Sequence, residues 1–264
     1  MALLLHITDT HLYGDPHRQL KGIDTNKSCS AVLDHAAASM HRPDAIILGG
    51  DMSQDHSESS YQNLAALLRD WHSPFMLSPG NHADLRMLEN VLIPRLERIS
   101  SFHRELLLDR WQIISLNTHV PGEVAGSLAG EELSRLDALL GDARGRHALI
   151  AMHHPPVEIG SRWMDEIGLS NAGAFWDVVE RHAHVRAVLC GHIHQEFDAH
   201  RGPVRILGTP STCIQFRPNC DDFQLDDRSP GYRWLELLPD GQIDTGVERI
   251  DGFMPPDLKD NSFY

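Results

Sequence analysis

Five polar clusters carry the side chains able to do chemistry. They are Asp9 with His11, Asp51, Asn81 with His82, His153 with His154, and His192 with His194. Each follows a short apolar run, either at once or within a few residues: 3–7, 45–48, 75–77, 148–152 and 185–190. Oxygen and imidazole donors without a thiolate suit manganese, iron, zinc or cobalt, and disfavour soft-metal or iron–sulfur sites. Asp9, His11, Asp51, Asn81, His153, His192 and His194 are too many ligands for one tetrahedral zinc. They suit two ions sharing Asp51 as a bridge. Asp9 and His11 are two residues apart, as are His192 and His194, and in an extended segment such pairs project to one side. Gly49, Gly50, Gly80 and Gly191 precede the polar residues and permit close backbone approach. Taken singly, no motif carries a function: D-x-H is usually surface decoration, G-D is an ordinary turn, G-N-H is rarer, and H-H-P and G-H-x-H are moderately specific but fit structural histidines too. The ordered set of five, each at a strand end, carries the reading.

The apolar runs, with a further one at 113–116, are short enough for buried strands. Between them, 29–40, 60–71, 131–140 and 173–182 place apolar residues on one helical face. Alternation of strand and helix implies sheets covered by helices. Hairpins are expected about Asp109 and Arg110, about Gly202 and Pro203, and about Pro239, Asp240 and Gly241. The pattern predicts an α/β fold with two packed mixed sheets and helices outside. In open α/β sheets ligands bind beyond the carboxyl ends of the strands, so five strand ends can converge on one site.

A chain of 264 residues with 41% apolar content suits one large domain. Its formal charge of −14, together with an absence of basic clusters along the sequence, argues against long nucleic acids as partners. An anionic small-molecule substrate would then need a local positive centre, which metal ions can supply. No run approaches the ~18–20 apolar residues of a membrane span. The opening leucines are too few for a secretory segment and lack a preceding basic region. Cys29, Cys190, Cys213 and Cys220 form no C-x-x-C pair. They read as reduced thiols of a cytoplasmic protein rather than disulfides or metal ligands. A homodimer is compatible with the sequence.

In this order the motifs resemble those of the calcineurin-like metallophosphoesterases. Asp9-Thr10-His11 matches D-x-H, Gly50-Asp51 matches G-D, and Gly80-Asn81-His82 matches G-N-H; His153 and Gly191-His192-Ile193-His194 complete the set. More narrowly, the chain resembles the class III bacterial cyclic-nucleotide phosphodiesterases, the cyclic-AMP group. That likeness rests on His153-His154-Pro155-Pro156, on residues 209–213 with Gln215 and Phe216, and on Pro230-Gly231-Tyr232-Arg233. The resemblance implies a four-layer αββα sandwich, with one domain over residues 1–250 and a C-terminal tail over 251–264. It implies one metal on Asp9, His11, Asp51 and His194, and a second on Asp51, Asn81, His153 and His192. His82 would bind no metal and would face the phosphate as the catalytic histidine. One departure concerns His82. Many relatives have an acid directly after this histidine, whereas Ala83 stands here before Asp84. Asp55 and Asp84 are the candidates to orient the ring, with a solvated loop role the alternative for each.

The activity so implied is hydrolysis of 3′,5′-cyclic AMP to 5′-AMP. Two ions roughly 3.5–4 Å apart lower the pKa of a shared water from about 15.7 towards ~7, and in-line attack expels the ribose 3′ oxygen. His82 would protonate that oxygen or stabilise its charge. Two divalent ions, two aspartates and a hydroxide leave a net positive charge, which suits a monoanionic diester. Iron and manganese are the expected metals, with zinc or cobalt as alternatives. Three competing readings stand beside this one. The first is a broader phosphodiesterase acting on glycerophosphodiesters or 2′,3′-cyclic nucleotides. The second is a non-catalytic scaffold on the same fold. A nuclease is the third, and the acidic charge disfavours it.

Overall fold

The computed structural model describes residues 1–255, 257–260 and 262. Its first sheet contains β1 (Ala2–Ile7), β4 (Ala45–Leu48), β5 (Phe75–Leu77), β6 (Phe102–His103), β13 (Gly231–Leu237) and β14 (Ile243–Arg249). The second contains β7 (Glu105–Leu108), β8 (Trp111–Ser115), β9 (His147–Met152), β10 (Val185–Cys190), β11 (Phe197–Arg201) and β12 (Val204–Gly208). A two-stranded ribbon, β2 (Gln19–Leu20) with β3 (Ile23–Asp24), stands apart. The strand orders are β14-β13-β1-β4-β5-β6 and β11-β12-β10-β9-β8-β7. Both sheets are mixed. The central pairs β1–β4, β4–β5, β8–β9 and β9–β10 are parallel, and the pairs β13–β14, β11–β12 and β7–β8 are antiparallel.

The period-two alternation of the strands sorts their side chains into layers. Leu4, Ala45, Ile47 and Met76 of the first sheet meet Leu149, Ala151, Ala187 and Leu189 of the second in one buried cluster. The opposite faces turn outward to helices. Leu5, Ile7, Ile46 and Leu48 pack under α1 (Thr25–Ser39) and α2 (Glu58–Leu67). Ile150, Met152, Val188 and Cys190 pack under α5 (Gly130–Asp142) and α7 (Ala172–Val179). The result is the expected helix–sheet–sheet–helix order. The inter-sheet layer is made of alternate residues within runs that look uniformly apolar in sequence, because these strands are covered on both faces.

All six expected strands are present. The three hairpins form where the turn residues lie, with Leu108 opposite Trp111, Arg201 opposite Val204, and Leu237 opposite Ile243. The helices form near the expected positions and begin earlier than the apolar pattern suggests. Asp24 caps α1 by accepting from the Lys27 amide at 3.0 Å, and Ser57 caps α2 by accepting from the Ser60 amide at 3.2 Å. Two features escape the apolar pattern. Strand β11 is an exposed edge whose Asp198, His200 and Arg201 show no buried alternation. Residues 85–99 fold as α3 (Leu85–Met87), a single π turn (Leu88–Leu92) and α4 (Ile93–Ile99). The wide turn lies just before Pro94, whose missing N–H cannot extend a regular helical ladder. A short helix, α6 (Arg162–Asp165), lies between β9 and α7.

Residues 256, 261, 263 and 264 of the expected tail lie outside the described residues. Within the rest, Phe253 packs on two buried clusters, and Lys21 Nζ reaches Asp260 at 3.0 Å and the Ser262 hydroxyl at 2.6 Å. Among the described residues, no helix is long and apolar enough to cross a membrane.

The inter-sheet layer predicts where stability resides. Leu149→Ala, at a fully buried position between the sheets, should lower unfolding free energy by about 2–5 kcal/mol, read as a fall in the urea midpoint at unchanged slope.

Candidate metal centre

The loops that leave β1 and β4 run side by side beyond the sheet. The Asp9 amide donates to the Gly50 carbonyl at 2.9 Å, and the His11 amide to the Asp51 carbonyl at 2.9 Å. This continuation brings Asp9 and Asp51 together. The second sheet delivers His153 from the end of β9, and His192 and His194 from the end of β10. The Thr212 amide donates to the Thr8 carbonyl at 3.3 Å, tying a loop beyond β12 to the first sheet.

The backbone bends sharply to aim these side chains. Asp9, His11, Asp51, His192 and His194 all lie at positive φ, between 44° and 68°. The paired residues therefore project to one side through left-handed turns, not through the extended backbone expected from their spacing. Non-glycine residues in this region cost about 1–3 kcal/mol each, and such strain concentrates at functional sites. Gly80 explains itself by space. A Cβ there would lie 2.1 Å from Asp51 Oδ1 and 2.6 Å from His153 Nε2.

Each imidazole is held by its far nitrogen. His153 Nδ1 lies 2.7 Å from the Gly49 carbonyl, His194 Nδ1 2.8 Å from the Ile214 carbonyl, and His11 Nδ1 2.6 Å from Gln54 Oε1. His192 is held the other way round, with Nε2 3.1 Å from the Ile167 carbonyl. All four partners are oxygens that only accept, so each ring donates its N–H outward and turns its other nitrogen inward. His11 Nε2 and His194 Nε2 consequently face each other at 3.2 Å. His194 Nε2 lies 3.3 Å from Asp9 Oδ1, and His153 Nε2 lies 3.2 Å from Asp51 Oδ2.

Two carboxylates complete the arrangement, at 0% and 3% exposure for Asp9 and Asp51. Asp9 accepts from the Thr8 hydroxyl at 2.6 Å and from the His192 amide, and Asp51 accepts from the His82 amide at 2.8 Å. Their ion-pair partners are histidines. Burial raises the Asp9 pKa, but His194 and His153 outweigh it and bring it down to about 2. Burial likewise opposes ionisation of Asp51, and His153 again outweighs it. Burial, with His82 and His194 adding to it, lowers the His11 pKa to about 3. His153 is the exception: burial lowers it, yet Asp51 prevails and raises it to about 9. Two buried anions among imidazoles of which only His153 is pushed toward its cationic form make a donor set short of positive charge. Burying such charges unpaired is prohibitive. Metal cations fit this set.

The donors fall into groups whose ligand atoms lie within 4.8 Å of one another: Asp9 with His11 and His194, and Asp9 with Asp51 and His153. Asp9 is common to both. Asn81 joins Asp51, His192 and His194 around a small enclosed space, and its buried Oδ1 has no hydrogen-bond partner. All seven expected ligands are thus drawn to one place. His154 also lies within reach of His153 and His192. Both its ring nitrogens are engaged, with Thr118 Oγ1 at 2.7 Å and the Val124 carbonyl at 3.0 Å, so it braces the loop carrying Val124.

His82 stands at the rim, edge-on to His11 and parallel to His56. The two acids expected beside it serve their own loops. Asp84 accepts from the Arg86 and Met87 amides and caps α3. Asp55 accepts from Gly14 and Ser57. Each of the two acids thus has a loop contact of its own. Burial lowers the His82 pKa, with Asp51 opposing. Outside the rim lies a cleft of about 680 Å³ lined by His56, His82, Arg86, His119 and Glu123. Gln54, His56 and His119 belong to the site without having stood out in the sequence. Gln54 follows Asp51 by three residues, and only contact with His11 reveals its role. All four cysteines are free thiols, and Cys190 packs in the core beneath α5 and α7.

A family model for calcineurin-like phosphoesterases matches residues 2–196. A Pseudomonas aeruginosa protein named 3′,5′-cyclic adenosine monophosphate phosphodiesterase CpdA is 39% identical over 250 residues, covering 95% of this chain and 90% of that protein. The Escherichia coli protein of the same name is 39% identical over 261 residues, covering 98% and 94%. A dimetal phosphatase from Danio rerio superposes with a TM-score of 0.63 at 15% identity, covering 89% of this chain and 94% of that one. The last comparison bears on the fold alone.

The Gln54 contact yields a test. Gln54→Ala should release the His11 ring and weaken metal binding by about 10–100-fold, measured by titrating metal into stripped protein. Unchanged affinity would show that the ring is held without it.

Proposed function

The chain belongs to the calcineurin-like phosphoesterase family, and from that premise we propose that it hydrolyses 3′,5′-cyclic AMP to 5′-AMP at a dinuclear metal centre. The observation that carries this reading is the inward convergence of seven donors, two of them buried carboxylates, in a chain 39% identical to cyclic-AMP phosphodiesterases along nearly its whole length. One ion would take Asp9, His11, Asp51 and His194, and the other Asp51, Asn81, His153 and His192. Iron and manganese are the proposed pair. When bound, such ions supply an activated water and neutralise the phosphoryl oxygens. The catalytic domain is taken as residues 1–250, acting in the cytoplasm.

The chain's own residues define the rest of the chemistry. Gly49, Ile167, Ile214 and Gln54 fix the imidazole tautomers, so no ligand need reorient when substrate arrives. His82, with its pKa lowered chiefly by burial, is suited to donate a neutral N–H hydrogen bond to the departing 3′ oxygen. The cleft beside it has room for the nucleoside, with His119 held by the Gly80 carbonyl at 2.9 Å. A non-catalytic scaffold would have no need to keep both the donor set and His82.

The deciding experiment is steady-state hydrolysis of a panel: 3′,5′-cyclic AMP, 3′,5′-cyclic GMP, 2′,3′-cyclic AMP, glycerophosphodiesters and an aryl diester. A kcat/KM for 3′,5′-cyclic AMP above those of the other natural diesters is expected. Comparable values across the panel would favour the broad phosphodiesterase, and no turnover with metals bound would favour the scaffold.

Two variants separate roles within the site. Asp51→Asn should lose the bridging charge, so bound metal should fall and hydrolysis collapse; two retained ions with full activity would defeat the bridging assignment. His82→Ala should keep both metals and the fold while kcat falls by about 10²–10⁴. The fall should be smaller for an aryl diester, whose leaving group needs less help. Loss of a metal equivalent, or equal penalties for alkyl and aryl esters, would count against the leaving-group role.

A further inference from the structure

At the far end of the second sheet the acidic surface gives way to a basic pocket. Two short segments build it: Arg144, Arg146 and His147 where the chain enters β9, and Arg181, His182, His184 and Arg186 where it enters β10. Neither segment contains a carboxylate. Read along the chain they are unremarkable and distant, but β9 and β10 are parallel neighbours, so their amino ends lie together. The expectation that this protein lacks a basic cluster is therefore corrected by the fold. The pocket is an open surface hollow of about 520 Å³, within the range of small-molecule sites. The six residues of β9 separate it from His153 by roughly 20 Å.

The charges there are not neutralised. Arg181 pairs with Asp137 at 3.1 Å, and His182 shares that carboxylate at 2.7 Å. Among the described residues, Arg144, Arg146 and Arg186 have no carboxylate within ion-pair distance. The carbonyl ends of α5 and α7 favour cations nearby, but two helix ends amount to only about one negative charge. Roughly two positive charges remain. Their groups are positioned, too. His147 Nε2 lies 3.3 Å from the Pro239 carbonyl, which leaves Nδ1 to accept from Arg186 Nε at 3.3 Å. This bond orients the Arg186 guanidinium, whose terminal nitrogens make no hydrogen bond or ion pair among the described residues. Arg146 is anchored on the Asp109 carbonyl. His184 Nε2 is buried without a hydrogen-bond partner, and burial, with His182, Arg144 and Arg186 adding, lowers its pKa. A planar guanidinium presents paired donors matched to phosphate oxygens.

We propose that this pocket binds a small oligophosphate, a chain of two or more phosphates held by Arg144, Arg146 and Arg186, at a site separate from the metal centre. Isothermal titration of inorganic diphosphate, and separately of ATP, into the metal-loaded protein tests it. The same titrations into Arg144→Met/Arg186→Met and into Asp51→Asn locate the site, with thermal melts showing that each variant folds. Binding should persist in Asp51→Asn, and its Kd should rise about tenfold or more in the arginine variant, as loss of charged hydrogen bonds implies. Equal affinity for the two ligands would mean that the phosphate chain alone is recognised; tighter ATP would identify a nucleotide as the source. Binding lost in Asp51→Asn but unchanged in the arginine variant would place the anion on the metals and overturn the proposal. So would an absence of binding at millimolar ligand. Tighter binding of a short single-stranded oligonucleotide through the same arginines would also overturn it, making the patch a nucleic-acid surface.

Discussion

Two carboxylates buried among imidazole lone pairs are the constraint on which the rest of this structure turns. Asp9 and Asp51 are almost fully removed from water, and burial works against the charge each carries. In a low-dielectric interior such anions persist only beside compensating cations. The imidazoles cannot all provide them. Burial suppresses protonation of His11 and His192, and their outer nitrogens are committed to oxygen acceptors. The left-handed bends at five of these residues and the glycines beside them are the local cost of bringing so many donors to one point. That cost is intelligible only if metal binding offsets it.

The sandwich meets this demand by dividing the donors between its sheets. Asp9, His11, Asp51 and Asn81 follow strands of the first sheet, and His153, His192 and His194 follow strands of the second. The site therefore exists only when the sheets are packed, and the apolar layer joining Leu4 and Ile47 to Leu149 and Leu189 sets its geometry. Stability and site geometry are coupled through that layer. Carbonyls of Gly49, Ile167 and Ile214, available only after the loops are placed, then fix the ring orientations.

Charge is organised at two scales. The chain carries −14 overall, which repels long polyanions at a distance. At short range the two ends of the second sheet depart from that average in different ways. The carboxyl ends of β9 and β10 present imidazoles suited to cations, and their amino ends present guanidiniums. Each parallel strand thus joins two sites of opposite chemical need.

How much of this the sequence determined follows from which interactions are local. The order of D-x-H, G-D, G-N-H, H and G-H-x-H, each after an apolar run, fixes the donor set and its strand ends, because strand length and turn chemistry act over a few residues. Period-two burial and the turn residues at Asp109, Gly202 and Gly241 set the layers and hairpins for the same reason. The tertiary structure alone decided what depends on residues far apart in the chain. Gln54 as the anchor of His11, His154 as a brace of the loop carrying Val124, and the loop roles of Asp55 and Asp84 all follow from contacts that spacing does not encode. The basic pocket is the plainest case: Arg144 and Arg186 lie in separate segments, and only the parallel pairing of β9 with β10 makes them neighbours.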